Sequence, residues 1–567
     1  MQLKSIGRLL QSRLLWIYLL FWFLCGITQF LIAASGTGSW EGFKDATVTA
    51  WLWLVPILLL PAYTFRWVSL AGLLIWFTAL PGFGYFLIYR QELTQSLMMI
   101  IFESNRAEST EYLQNYFSLK ILFGFLLFTI IPLYLWIKIK GAPAKEYPAW
   151  GISGLVVALI FAFPVKKAFS EQSIDAGYKS AAYHLGVAPP WQLAFGYYQY
   201  RIELEEVEKN LLNLNKIPPA SSFKEAAKPL PTTVVLVIGE STNRLHMNLY
   251  GYARDTNPKL QSIRNELVLF DNVFASRPNT IESLQQVLTF ADQQHPDWYK
   301  TKPSLISLMK QAGYKTYWIT NQQTLTTRNT MLTTFAKQAD AQVFLNTSRR
   351  QNAYSFDEKV LYPYMETLAK PDQKKLIVVH LLGTHMKYAY RYPESYDYFK
   401  DNHGLATGLS ADKVQTVNEY DNAIRYNDEI VYQLISSLKS QQQHSLMVYF
   451  SDHGDDVYDS VTHDFQGRNE ASPTYPMYAI PFIVWHSVNW FSASKLHQPD
   501  ILHRQYDNAD FIHTWSDLLG LQYDGFLPHE SIVNEHFAED EILVGNPYQK
   551  HLHPLSGTKL RTAAAGH

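Results

Sequence analysis

Only one cysteine, Cys25, occurs in the 567 residues. That excludes an internal disulfide and any multi-cysteine zinc site, and Cys25 lies in an apolar stretch that suits packing better than catalysis. Net charge is also lacking. Lys and Arg number 48 against 50 Asp and Glu, a balance of -2, so nothing points to nucleic acid or another strongly charged partner. No internal repeat is present. The length exceeds one ordinary core and suits two or three domains. What the chain has in quantity is aromatic surface, with 15 Trp and 36 Tyr. The Trp cluster in the first 170 residues, as side chains that favour membrane interfaces do.

Five stretches read as membrane-spanning helices, roughly Leu14–Ala34, Val48–Thr64, Val68–Ile88, Ile121–Ile137 and Trp150–Phe163. Each approaches the roughly 20 helical residues that cross a hydrocarbon core of about 30 Å. The first is not a cleaved leader, because further spans follow it instead of a small-residue cleavage site and a soluble domain. Lys4, Arg8 and Arg13 precede span one, Arg66 lies between two and three, and Lys138, Lys140 and Lys145 lie between four and five. The positive-inside rule puts these segments in the cytoplasm and everything after about residue 165 outside it. Between spans three and four, residues 91–118 read as amphipathic interfacial helices around Phe102-Glu103-Ser104-Asn105-Arg106-Ala107-Glu108. Their carboxylates suit either a solvated polar face or a cationic lipid headgroup.

Residues 166–231 read as a bridging helix and a Pro-rich linker, with Lys216-Ile217-Pro218-Pro219 and Lys228-Pro229-Leu230-Pro231. From 232 to 567, apolar runs alternate with helical patterns, which predicts an α/β domain with a mostly parallel sheet. The runs are Val234–Ile238, Thr316–Ile319, Leu376–Val379, Leu446–Phe450 and Pro481–Trp485. Four of them lead into Gly239-Glu240-Ser241-Thr242, Thr320-Asn321-Gln322-Gln323, His380-Leu381-Leu382-Gly383-Thr384-His385 and Ser451-Asp452-His453-Gly454. Open α/β sheets bind ligands at the carboxyl ends of their strands, so this edge is the expected site.

Glu240, Asp452 and His453 supply two carboxylates and an imidazole without a thiolate, a set suited to Zn²⁺, with Mn²⁺ open on ligand type. The natural fourth ligand is Thr280, in Pro278-Asn279-Thr280-Ile281-Glu282-Ser283. A threonine hydroxyl is a weak nucleophile that a metal would activate, and the same run reads as a helix start whose amides favour an anion. A helix cap is the plain alternative for Thr280, and the two roles are compatible. His385 and His463 are free to bind phosphate oxygens or protonate a leaving group, or else to serve as structural histidines.

These motifs, with Tyr250-Gly-Tyr-Ala-Arg-Asp-Thr-Asn-Pro258 and Tyr420-Asp-Asn422, resemble the phosphoethanolamine transferases of Gram-negative inner membranes, of the alkaline phosphatase and sulfatase superfamily. Arg277-Pro-Asn-Thr-Ile-Glu282, Gln322-Gln-Thr-Leu-Thr-Thr-Arg-Asn-Thr-Met331 and Gln466-Gly-Arg-Asn-Glu470 look most like the branch that modifies a heptose phosphate of the lipopolysaccharide core. The resemblance implies a multi-pass inner-membrane enzyme with its catalytic domain in the periplasm. Phosphatidylethanolamine would be the donor and lipopolysaccharide the acceptor. It implies Glu240, Asp452 and His453 as zinc ligands, with one ion expected and a second open. Thr280 would be the metal-bound nucleophile, and His385 and His463 phosphate-binding residues. Ser104 and Glu108, with Asn105 beside them, match donor-lipid contacts, although the Asn expected four residues before Ser104 is Ile100. The Ser and Lys of the lipid A branch are replaced near Gln323 and Arg328, and the disulfides of many relatives are absent.

The rival acceptor is lipid A, and a rival activity is phosphoglycerol transfer to a periplasmic glycan, which would keep the metal and the threonine. A sulfatase would need a Cys-x-Pro-x-Arg setting for formylglycine, which is missing. A polytopic assembly protein with a decayed sheet domain is the non-enzyme alternative.

Overall fold

The computed structural model describes residues 13–35, 40–90, 93, 118–140, 149–213, 216–323, 335–346, 355–460, 463–498, 500–549 and 551–557. Two compact units divide the chain, Met1–Glu205 and Glu206–His567.

In the first unit five helices are long and apolar enough to cross a membrane: Arg13–Ala34, Trp40–Leu59, Pro61–Ile88, Leu119–Lys140 and Trp150–Ser170. The count agrees with the sequence reading, but some bounds differ. The second candidate begins at Trp40, eight residues before the expected Val48, and it is broken between Leu52 and Val55 ahead of Pro56. Pro61 then opens a separate turn, because proline lacks the N–H that a helix interior requires. The fifth runs to Ser170, past the expected Phe163, with Pro164 inside it. Ile17, Leu20, Phe21 and Leu24 pack against Ala46, Ala50, Val68 and Ile75, and the small residues let the helices approach closely. Leu70, Phe77, Phe123 and Leu159 are exposed, which a lipid solvent favours. Two more helices follow, Ile174–Leu185 and Trp191–Asn213. The expected interfacial segment lies outside the described residues apart from Leu93 and Ser118, and so do Ser104, Asn105 and Glu108.

The second unit is built on a seven-stranded sheet. Its strands are β1 (Thr232–Gly239), β2 (Leu267–Phe270), β3 (Lys315–Gln323), β4 (Ala341–Asn346), β5 (Lys374–His380), β6 (His444–Ser451) and β7 (Phe482–His486), in the order β2-β7-β6-β1-β5-β3-β4. β1 is parallel to β5 and β6, β3 is parallel to β4 and β5, and β7 is antiparallel to both neighbours. The sheet is therefore mostly parallel, as expected. β2 and β4 were not among the strands expected from sequence.

β1 is buried along its whole length, and its side chains alternate between two cores. Val234, Leu236 and Ile238 pack with Leu284, Leu308 and Trp515, from the helices Thr280–Val287, Leu305–Gln311 and Phe511–Leu518. Val235 and Val237 pack with Tyr364, Tyr420 and Ile424, from the helices Leu361–Leu368 and Ala411–Ser440. Each such side chain contributes about 1.5–3 kcal/mol on burial, which holds the central strand in register between two helical layers. Register sets the site: Gly239 pairs with Ser451 and Ile238 with His380, so Glu240 and Asp452 leave the sheet side by side.

Candidate active site

Glu240, Asp452 and His453 are 1, 0 and 0% exposed, and each offers one ligand atom within 4.8 Å of the others. His453 Nε2 lies 3.3 Å from Glu240 Oε1 and 3.3 Å from Asp452 Oδ2. His453 Nδ1 is 3.0 Å from the Gly454 carbonyl, which can only accept a hydrogen bond. The ring proton therefore sits on Nδ1, and the Nε2 lone pair faces the carboxylates, as in a metal-binding histidine.

Asp452 has one oxygen tied down and the other turned inward, whereas both oxygens of Glu240 accept hydrogen bonds. Asp452 Oδ1 accepts from the Ser241 and His453 backbone amides at 3.1 and 2.8 Å. Its Oδ2 is buried and has no hydrogen-bond partner among the described residues. Glu240 Oε1 accepts from the Ser241 hydroxyl at 2.8 Å, and Oε2 accepts from Thr280 at 3.0 Å and Gln322 Nε2 at 3.1 Å. Burial and the neighbouring Glu240 charge push the Asp452 carboxyl well above its usual range. For Glu240 burial acts upward too, but nearby positive charge, that of Arg468 included, outweighs it and holds Glu240 low. Two buried carboxylates this close favour a cation between them. The donor set, the inward Oδ2 and the unprotonated Nε2 fit a zinc ion.

Thr280 is the first residue of its helix, with Asn279 as the extended cap residue, so the hydroxyl is presented where the first backbone amides lack helical partners. Thr280 Oγ1 lies 3.4 Å from His453 Nε2 and is 3.0 Å from Glu240 Oε2. Ser283, one turn on, donates to the Asp452 carbonyl at 2.6 Å and fastens the helix to the loop after β6. The loop after β5 passes just as closely. A side chain at Gly383, whose φ is 54°, would fall 2.7 Å from the Glu240 carbonyl oxygen. Ser241 also takes a left-handed conformation (φ 58°) without being glycine, a local cost of about 1 kcal/mol that its contacts with Glu240 and Asp452 offset.

Of the two candidate phosphate-binding histidines, His385 is half-buried on the β5 loop, and burial lowers its pKa to about 3, with Glu240 opposing. It is therefore neutral near pH 7. His463 Nδ1 is 2.5 Å from the Tyr458 carbonyl, and no hydrogen bond among the described residues joins it to the carboxylates. Gln323 ends β3, and Arg328 lies outside the described residues.

Sequence reasoning singled out neither Gln322 nor Arg468. Gln322 bridges Glu240 Oε2 and, at 2.8 Å, the Leu381 carbonyl. Strand alternation was the usable signal, since it separates adjacent glutamines. Arg468 touches His453 Nε2 through Nη1, lies 3.6 Å from Glu240 Oε1 and places Nε 3.2 Å from Asp455 Oδ1. It follows the two-residue strand Gln466–Gly467, which pairs with Asp456–Val457, and this brings it back over the ligands.

A buried network fixes these loops. His246 is 2.7 Å from Asp421 through Nδ1 and 2.9 Å from Asp459 through Nε2, so both nitrogens donate and the ring is cationic. Arg254 and Tyr252 complete the shell of Asp421 at 2.9 and 3.0 Å. Burial opposes the charge, but Asp459 and Asp421 win and raise the His246 pKa from 6.5 to about 10. A group raised on folding stabilises fully below its unfolded pKa and loses that contribution as pH climbs to its folded one. Stability should therefore fall by about 1.4 kcal/mol per pH unit between roughly pH 7 and 9. Thermal unfolding of the wild type and His246→Asn across that window checks this, because the variant should lack the slope and be destabilised at pH 7.

Residues 232–521 match the Sulfatase family model. The chain is 43% identical over 545 residues to the phosphoethanolamine transferase EptC of Escherichia coli, covering 94% of this chain and 94% of that protein. Among solved structures, it is similar to the C-terminal periplasmic domain of EcEptC from Escherichia coli in complex with Zn. There the TM-score is 0.59 at 50% identity, over 60% of this chain and 97% of that one. The integral membrane protein lipooligosaccharide phosphoethanolamine transferase A from Neisseria meningitidis shares the fold. Its TM-score is 0.61 at 18% identity, over 91% of this chain and 97% of that one.

Proposed function

The chain belongs to the phosphoethanolamine transferase family, and on that premise we propose that it moves phosphoethanolamine from phosphatidylethanolamine to a phosphate of lipopolysaccharide through Thr280. The observation that carries this reading is the Thr280 hydroxyl, held at a helix start against Glu240 and His453 Nε2. Glu240, Asp452, His453 and Thr280 would hold zinc, which supplies Lewis-acid activation of the hydroxyl and of the phosphoryl group.

In the first half-reaction Thr280 Oγ attacks phosphorus, and the bond to the diacylglycerol oxygen breaks. That oxygen takes up a proton, balancing the one Thr280 Oγ gives up on attack, and phosphoethanolamine is left esterified to Thr280. In the second, a lipopolysaccharide phosphate oxygen attacks the same phosphorus, the bond to Oγ breaks and the threonine is regenerated. Amides at the start of the Thr280–Val287 helix face the developing negative charge. Neutral His385 presents an N–H to a phosphate oxygen, and His463 completes the phosphate site. Ser104, Asn105 and Glu108 would contact the donor headgroup, and Gln323 and Arg328 would serve as further substrate-binding residues.

Residues 1–165 form the membrane domain, 166–231 bridge, and 232–567 form the periplasmic catalytic domain of an inner-membrane enzyme. The Arg277–Glu282 and Gln466–Glu470 wording supports a core heptose phosphate as acceptor. Mass spectrometry of lipopolysaccharide from cells with and without the gene tests this. The core fragment should gain phosphoethanolamine only when the gene is present, and a gain confined to lipid A would reassign the acceptor.

A further inference from the structure

We infer that Arg468 grips the transferring phosphoryl group, a role that rests on the phosphoryl-transfer reading above. Its place is built from three sides. Nε is 3.2 Å from Asp455 Oδ1, and Asp455 Oδ2 accepts from the Tyr388 hydroxyl at 3.0 Å. The Asp455 carbonyl is held by Asn243 Nδ2 at 3.1 Å. Two residues on, Glu470 receives Arg277 at 2.5 and 3.2 Å in a two-pronged ion pair, and Arg277 lies three residues before Thr280. The loop that carries Arg468 and the turn that carries the nucleophile are thus fastened to each other.

The far end of the guanidinium is differently situated. Nη1 rests on His453 Nε2, and Nη2 makes no hydrogen bond among the described residues. The side chain is 16% exposed, whereas Glu240, Asp452 and His453 are at most 1% exposed. His453 has committed Nδ1 to Gly454, so Nε2 has one lone pair to give. A metal ion and Arg468 cannot both take it. Metal binding therefore releases Nη1 while Asp455 still anchors Nε, leaving a two-pronged donor next to His453 Nε2, which Thr280 Oγ1 also approaches at 3.4 Å. A planar guanidinium fork matches two phosphate oxygens, and its charge is permanent. Two carboxylates and a threonine oxygen already oppose an incoming phosphodiester, so a further cation is what the chemistry lacks.

The test uses the full chain, loaded with zinc in detergent, and compares wild type with Arg468→Ala and Arg468→Lys. Zinc stoichiometry should be unchanged and zinc affinity equal or tighter in Arg468→Ala, because a competitor for Nε2 is gone. Transfer from a fluorescent phosphatidylethanolamine should fall about 10²–10³-fold in kcat, and added guanidinium ion should restore about tenfold. Inorganic phosphate, measured by calorimetry on the zinc-loaded protein, should bind at least about tenfold more weakly to Arg468→Ala and less so to Arg468→Lys. Loss of zinc from Arg468→Ala overturns the inference. So does transfer within threefold of wild type, or slowed transfer with neither weakened phosphate nor guanidinium rescue. If wild type releases no diacylglycerol while phosphate binding still depends on Arg468, the donor reading fails and the role of Arg468 stands.

Discussion

Thr280→Ala is expected to lose phosphoethanolamine transfer by at least about 10⁴-fold, with the fold intact. The substitution deletes the only proposed nucleophilic atom, itself one of four proposed zinc ligands, and leaves the other three, Glu240, Asp452 and His453, in place. Little structure depends on the side chain. Asn279 holds the cap position, and the helix is fastened separately by Ser283 to the Asp452 carbonyl. The lost Thr280–Glu240 hydrogen bond is worth about 1 kcal/mol, within the reach of a domain of this size. Unfolding temperature and zinc content should therefore stay near wild type while turnover disappears. Thr280→Ser keeps the oxygen but gains rotamer freedom, and should retain activity at a loss of about tenfold. Steady-state transfer from phosphatidylethanolamine separates the cases. Retained turnover in Thr280→Ala would remove threonine from the chemistry.

Metal removal should have the second largest effect, and its sign is informative. Chelation should abolish transfer and lower the unfolding temperature. It leaves Glu240 and Asp452 buried side by side, with Asp452 Oδ2 unpartnered among the described residues. Zinc at about a thousandfold excess over its Kd should return about 4 kcal/mol of stability. Asp452→Asn should uncouple the two readouts. Without metal it should be at least as stable as the wild type, because one buried carboxylate charge is gone. With zinc it should gain little and stay inactive. Calorimetry of both proteins, with and without zinc, checks this. A zinc-dependent gain in Asp452→Asn equal to that of wild type would remove Asp452 from the ligand set.

Much of the site was legible because it lies where apolar runs stop. Val234–Ile238 and Leu446–Phe450 fit buried strands, which places Glu240 and Asp452-His453 at a sheet edge, and parallel pairing brings them together. Thr280 was legible for a different reason, as a hydroxyl at a helix start. The missed features depend on three-dimensional direction. β2 is a four-residue edge strand, too short to show a period, and β4 pairs irregularly with β3 where the register shifts between Thr320 and Gln323. Gln322 and Gln323 differ only in which way an extended backbone turns them. Arg468 sits fifteen residues after His453, and a hairpin of two-residue strands returns it to the site. Nothing in local hydropathy announces such a return. In the first unit the break before Pro56 divides one apolar run into two helices, and composition alone smooths over it.

The central claim is a covalent exchange at one hydroxyl, and tandem mass spectrometry of the full chain tests it most directly. The zinc-loaded protein is incubated with phosphatidylethanolamine without acceptor, quenched in acid and digested. The account predicts phosphoethanolamine on the peptide that spans Arg277 to Val287, localised to Thr280 and lost when lipopolysaccharide is added. Transfer that proceeds with no adduct, or with the adduct on another residue, would contradict it.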